Sequence, residues 1–177
     1  MEGEGIRASL ARFGTGVTVV TCDSPDGMHG LTVNSFTSVS LEPALILVSV
    51  NQRARGHDLL HNSHFVVNVL AHDQEAIARH FAGHRHTNLD IPEVRGKVAP
   101  RLVDPLAWFE CRPWRTYEGG DHSIYVGNVM DYGHRRGEAL GFYGGGFITL
   151  TEPEEEERPF PYEDIFELPY DSFEGLS

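Results

Sequence analysis

Gly30 to Val50 reads GLTVNSFTSVSLEPALILVSV. Its first part sets Thr32, Asn34, Ser35, Thr37, Ser38 and Ser40 among small or apolar neighbours, with too many hydroxyls for an ordinary core strand and too many hydrophobes for a surface loop. Its second part, Ala44 to Val50, is a short, aliphatic run rich in β-branched residues and reads as a buried strand. A polar ledge is thereby held against a hydrophobic wall. Such a pairing suits a flat aromatic ligand with polar edges, whose ring needs an apolar bed and whose carbonyls and ring nitrogens need short, rigid donors and acceptors. The competing reading is a strand and turn whose hydroxyls satisfy their own backbone.

Upstream of the ledge, Ile6, Leu10 and Phe13 recur at helical spacing, so the sequence predicts a short helix over Ile6 to Phe13 that Gly14 and Gly16 terminate. Val17 to Val33 reads as a hairpin turning through Asp23-Ser24-Pro25-Asp26-Gly27. Downstream, Ser49 to Leu60 leaves a buried strand through a polar turn carrying Arg53 and Arg55 and enters a helix. Free N–H groups beside arginines are a recipe for gripping a phosphate, and a solvated turn before a capped helix is the plainer alternative.

Phe65 to Leu70 reads as another buried strand. Asp73 to Phe81 reads as a helix entered through a capping Asp73, with Phe81-Ala82-Gly83 closing it as a core anchor and glycine cap. Asn88 to Arg101, with Pro92, Gly96 and Pro100, reads as a loop covering part of a pocket. Leu106 to Trp114 and Ile124 to Met130 read as an antiparallel pair around Gly119-Gly120, with Pro113 ending the first strand or placing it at an edge. His80, His84 and His86 share no zinc-like spacing with a cysteine or acidic partner, so they read as a polar loop and no metal site is expected.

Composition sets the outer bounds. A chain of 177 residues with 40% hydrophobic residues buries one core, and nothing in it calls for two. Of the net charge of -12, the stretch Glu152 to Ser177 carries -9 through ten carboxylates and Arg158, leaving -3 for residues 1–151. Nucleic acid is therefore not an expected partner. There is no apolar leader and no run long enough to cross a bilayer, so a cytoplasmic protein without membrane association is expected. Cys22 and Cys111 stand apart in strand-like runs, as small hydrophobes do.

The ledge, with SLARFGTGVTVVT at Ser9 to Thr21 before it, resembles the opening half of the flavin reductase-like family. Phe65-Val66-Val67-Asn68-Val69-Leu70, Phe81-Ala82-Gly83 and Gly120-Asp121-His122-Ser123-Ile124-Tyr125-Val126-Gly127 follow in the family's order, so the resemblance spans about Ser9 to Leu150. It implies a mainly β protein, an FMN-binding split β-barrel with short flanking helices, over residues 1–151. It also implies a reductase component that hands reduced flavin to a partner monooxygenase, with FMN or FAD as flavin and NADH or NADPH as hydride donor.

Carried over residue by residue, the resemblance puts Thr32, Asn34, Ser35, Ser38, Val39 and Ser40 along the flavin ring or its ribityl chain. It assigns the phosphate to Arg55, with Ser49 and Asn51 nearby, and sets Phe81, Ala82 and Gly83 by the flavin or the nicotinamide. Tyr143 offers aromatic surface to the cofactor. His122 falls on the nicotinamide side of the pocket, oriented by Asp121, and is the catalytic candidate. Hydride transfer needs no side-chain base, so the protein's part is positioning and electrostatic tuning.

Three departures stand against this. Ala54 and Gly56 replace small hydroxyl residues, and Gly144 replaces an arginine. They leave a second reading open, a flavin-binding protein without reductase activity or one retuned to another substrate. The acidic extension 152–177 carries Phe160, Tyr162, Ile165, Phe166, Leu168, Tyr170 and Phe173, enough apolar surface to dock on the barrel or a partner. A shallow cofactor groove and surplus aromatic surface also predict a C2 homodimer whose two subunits wall each site.

Overall fold

The structure, a computed structural model, describes residues 3–84 and 89–152. In chain order these form α1 (Gly3–Leu10), β1 (Thr15–Gly16), β2 (Thr18–Ser24), β3 (Gly27–Val33), β4 (Thr37–Leu41), β5 (Ala44–Asn51), α2 (His57–Leu60) and β6 (Phe65–Val69). A 3-10 turn, His72–Gln74, leads into α3 (Glu75–Phe81), and β7 (Glu93–Arg95), β8 (Pro100–Leu102), β9 (Ala107–Gly119), β10 (His122–His134), β11 (Ala139–Tyr143) and β12 (Gly146–Leu150) complete the fold. The protein is mainly β, with short helices at the flanks.

Seven strands form one antiparallel sheet in the order β3-β2-β6-β9-β10-β5-β4. β3 and β4 follow each other in the chain yet occupy its opposite edges, and only residues 34–36 join them. Four Cα-to-Cα steps reach at most about 15 Å, whereas six interstrand gaps of a flat sheet would span about 29 Å. The sheet is therefore curled until its edges meet, and the Asn34–Phe36 connector crosses the seam.

The predicted buried strand at Ala44 to Val50 alternates in burial, with Ile46, Val48 and Val50 inside and Leu45, Leu47 and Ser49 half-buried. Its inner face joins Val20, Leu31, Phe65, Val67, Cys111 and Tyr125 in one core cluster. A second cluster, around Val17, Val19, Leu70, Ala78, Leu102 and Leu140, takes in Phe81 of α3 and Phe142 and Phe147 of the small sheet β1-β11-β12.

Several expectations are corrected. The segment read as a loop over the pocket contains the hairpin β7–β8 and docks away from the ledge. Thr21 Oγ1 donates to the Pro100 carbonyl at 2.6 Å and Leu102 N–H to Asn68 Oδ1 at 3.0 Å, so buried side chains of β2 and β6 satisfy this hairpin's backbone. The helix at 73–81 is not capped by Asp73. The 3-10 turn leads into it, with Gln74 at the N-cap position, and the Gln74 side chain closes that turn, its Oε1 accepting from Ala71 N–H at 3.0 Å while its Nε2 donates to the Val103 carbonyl at 3.1 Å.

Pro113 does not end its strand. β6 pairs with β9 only as far as Cys111, so the missing N–H falls on a free edge, where a bulge at Trp114 keeps the β9–β10 pairing going. The helix near the N-terminus forms, but Ile6, Leu10 and Phe13 remain exposed. The acidic extension, apart from Glu152, and His86 lie outside the described residues.

Candidate active site

The seam opens as a cleft between β3 and β5. Leu31, Val33, Val50 and Ala54 provide apolar lining, and Thr32, Asn34, Ser35, Ser49, Asn51 and His122 a polar rim, around a volume of 270 Å³. Six of the residues singled out in the sequence thus meet in one place. A second cleft of 720 Å³ adjoins it, sharing Leu31 and Ala54, and is lined by Arg55, Phe81, Ala82 and Gly83 together with Met28, His29, Gly30 and His80. Ser38, Val39 and Ser40 line neither. They lie on β4, where a bulge between Ser38 and Ser40 leaves Val39 exposed. Tyr143 lies on the small sheet beside Gly14, also outside both linings.

The rim residues divide by what their side chains already do. Ser35 Oγ donates to the Ser49 carbonyl at 2.8 Å and accepts from Ser49 N–H at 2.9 Å, which ties the connector to β5. Thr32 Oγ1 donates to the Ala78 carbonyl at 2.7 Å and fastens β3 to α3. Asn51 Oδ1 accepts from Arg53 N–H at 2.8 Å in an Asx turn. These three hydroxyl and amide groups serve the frame of the cleft, as the plainer reading of the ledge holds. Asn34 and the Ser49 hydroxyl differ, since neither side chain bonds to another protein group among the described residues. They are the free polar groups that an edge-polar aromatic ring would meet.

In the turn after β5, Gln52 N–H donates to the Asp121 carbonyl at 3.0 Å, Ala54 N–H to the Asn51 carbonyl at 2.9 Å and His57 N–H to the Ala54 carbonyl at 3.1 Å. α2 spans only four residues, so the expected bank of free helix N–H groups is short. Charge in the turn comes from its arginines. Arg55 lines the second cleft, while Arg53 lies close enough to Asp121 to favour its ionised form.

Two of the departures have a local cause. Gly144 and Gly145 adopt φ values of 60° and 87°, which the two-residue turn between β11 and β12 requires, so a glycine and not an arginine stands there. Gly56, at φ 87°, has the His29 ring where its side chain would be.

His122 opens β10 at the rim of the first cleft, where its strand pairs with Asn51 of β5. Its Nδ1 lies 2.7 Å from Asp121 Oδ1. The hydrogen bond and the charge of His122 hold the Asp121 carboxyl below the usual carboxylate range, so Asp121 is ionised at neutral pH and fixes the ring's orientation. Behind it, His57 Nε2 lies 2.8 Å from Ser123 Oγ, and Tyr125 Oη donates to the His57 carbonyl at 2.9 Å, anchoring α2 to β10. His29 and the apolar residues Met28 and Leu31 had no sequence signal, because the β2–β3 hairpin alone brings them to the Arg55 turn.

The site fits a flavin on its own chemistry. The first cleft joins an apolar bed to unengaged short polar groups, the second carries a cation, and among the described residues no carboxylate lines either one.

Comparison with known proteins agrees. The model of the flavin reductase like domain matches residues 10–151. An FMN reductase (NADH), SmoA, of Agrobacterium fabrum is 42% identical over 82% of this chain and 85% of its own length. The reductase component of 4-hydroxyphenylacetate 3-monooxygenase of Thermus thermophilus is 37% identical over 85% of this chain and 98% of its own. The NADH:FAD oxidoreductase SgcE6 of Streptomyces globisporus, solved in complex with NAD and FAD fragments, superposes with a TM-score of 0.79 at 39% identity, covering 87% of this chain and 95% of that one.

Proposed function

We propose that this chain, which belongs to the flavin reductase-like family, is an NAD(P)H:flavin oxidoreductase that supplies reduced FMN or FAD to a separate monooxygenase component. The observation that carries this is the seam itself, a cleft with an apolar bed, free polar groups at Asn34 and Ser49, and His122 at its rim. The curled sheet is read as a split β-barrel with the flavin lying in the split. When bound, the flavin supplies the two-electron chemistry, taking a hydride from the nicotinamide.

The residues of the chain bind and orient. Leu31, Val33 and Val50 exclude water from one face of the ring, Asn34 and Ser49 meet its polar edge, and Arg55 neutralises phosphate. Ser38, Val39 and Ser40, on the strand that leaves the cleft wall, and Tyr143 are assigned to its outer margin. Phe81, Ala82 and Gly83 border the nucleotide side. His122, held by Asp121, positions the nicotinamide and shapes the field around the reacting pair.

The exposed Trp114, Tyr117, Met130 and Tyr132 on β9 and β10 support a C2 homodimer. Residues 1–151 are assigned to the reductase domain and 152–177 to an extension that docks on it or on a partner. No helix among the described residues is long and apolar enough to cross a membrane, and dependence on NAD(P)H assigns the enzyme to the cytoplasm.

A supplier of reduced flavin must release its product. In air, catalytic protein with excess free flavin should oxidise many equivalents of NADH or NADPH. Oxidation that stops at one equivalent per protein would show that flavin is retained and would count against the supply role.

A further inference from the structure

The small sheet β1-β11-β12 has two unlike faces. Strand alternation turns Leu140, Phe142 and Phe147 towards the second core cluster. Ile148 and Leu150 take the other face and stay exposed, their side chains lying over Gly141, where a Cβ would come within 2.9 Å of both. α1 abuts this outer face at the β11–β12 turn. Gly144 N–H donates to the Ala11 carbonyl at 2.9 Å, and Tyr143 Cδ2 lies 3.6 Å from the place of a Gly14 Cβ. Leu10 and Phe13, at the end of α1 and just beyond it, are 66% and 76% exposed, so helix and sheet present apolar surface that nothing among the described residues covers.

This surface is also cationic. Arg7 and Arg12 are exposed on and just after α1, and neither side chain has a partner among the described residues. A face both apolar and positive is complementary to a segment both apolar and acidic, and the chain carries one. β12 runs directly into residues 152–177, where Phe160, Tyr162, Phe166 and Leu168 interleave with Glu163, Asp164 and Glu167.

The length of the extension allows the contact. Glu152 Oε1 accepts from Gly137 N–H at 3.4 Å, which starts the extension at the end of the small sheet away from α1. From Leu150 back to Gly146 is about 14 Å along β12, whereas the eight residues from Glu152 to Phe160 reach up to about 29 Å. A second copy of the same face would instead bring arginine towards arginine.

We infer that residues 160–173 dock on the outer face of the small sheet and α1 of their own chain, with apolar side chains on Leu10, Phe13, Ile148 and Leu150 and carboxylates on Arg7 and Arg12. The inference rests on the reading of residues 152–177 as a docking extension and names its seat. Because the segment is tethered to β12, the contact is intramolecular and independent of protein concentration.

Amide hydrogen exchange of the full chain, read by mass spectrometry, tests the seat. In the wild type, residues 162–173 should exchange at least about tenfold more slowly than in the denatured chain, at every protein concentration. Leu10→Asp combined with Ile148→Asp should remove most of that protection while the amides of β5 and β10 stay protected, since both substituted side chains are exposed. Arg7→Glu combined with Arg12→Glu, which leaves the apolar surface untouched, should reduce the protection severalfold and decides the case should the aspartates unfold the small sheet.

Unprotected exchange of residues 162–173 in the wild type would overturn the docking reading and the seat together. Protection that survives both double variants would overturn the seat alone. Protection that appears only as protein concentration rises would put a second chain's extension on the face and overturn the assignment to the same chain.

Discussion

Ser35 grips both sides of one residue across the seam. Its Oγ donates to the Ser49 carbonyl at 2.8 Å and accepts from the Ser49 N–H at 2.9 Å. The connector between the sheet's two edges is thus pinned to β5 where the first cleft opens, while the neighbouring Asn34 is left exposed and unengaged. Adjacent residues therefore have separable roles.

That separation predicts signatures that differ in stability. Ser35→Ala should cost about 1–3 kcal/mol of stability, because half-buried backbone groups of Ser49 lose their partner, and flavin affinity should fall with it. Asn34→Ala should leave thermal unfolding unchanged and weaken flavin a few-fold to about tenfold. Fluorescence quenching beside a melting curve reads both. Unchanged flavin affinity in both variants would remove the ring from the seam.

Asp121 sets the acid limit of the His122 arrangement. Its carboxyl is held below the usual carboxylate range by the hydrogen bond and charge of His122, so its share of this pairing is fully present above that range and lost as pH falls through the lowered value. The rate of flavin reduction should therefore show no limb from Asp121 at neutral pH, only one below the usual carboxylate range. Asp121→Asn should lower the reduction rate at neutral pH without changing flavin affinity. Equal rates for Asp121→Asn and wild type would show that the pairing does not position His122.

The cysteines should be silent in the folded protein. Burial, with Asp23 nearby, pushes the Cys22 thiol up to about 11, and burial, with Glu110 nearby, pushes Cys111 up to about 12. The thiolate is the reactive form, so native protein at neutral pH should resist alkylation. Both thiols should react on denaturation, as mass spectrometry would read. Rapid modification of native Cys111 would contradict the packing of β6 on β9.

What could be read from the sequence followed local pattern. The short, aliphatic, β-branched run Ala44 to Val50 and the glycine turn before His122 located β5 and the β9–β10 hairpin, since strand composition and turn chemistry act within a few residues. The ledge drew attention to the right connector but not to its division of labour. Whether Ser35 braces the frame or faces the ligand depends on Ser49, fourteen residues away across the curled sheet. The β7–β8 hairpin was read as a loop because Pro100 and Gly96 signal turns, while the Thr21 and Asn68 groups that satisfy its backbone come from distant strands. His29 was invisible for the same reason. Gly56 looked like a lost donor, and only the fold shows the imidazole in its place.

The account's central claim is that flavin in the seam takes a hydride from a nicotinamide positioned by His122. Anaerobic stopped-flow mixing of flavin-loaded protein with saturating NADH or NADPH, followed as loss of the oxidised-flavin absorbance, tests it most directly. Wild-type protein should bleach rapidly with at least one nucleotide, and His122→Ala, still folded and flavin-loaded, should bleach at least about tenfold more slowly. Wild-type flavin that stays oxidised with both nucleotides, or a His122→Ala protein that reduces at the wild-type rate, would contradict it.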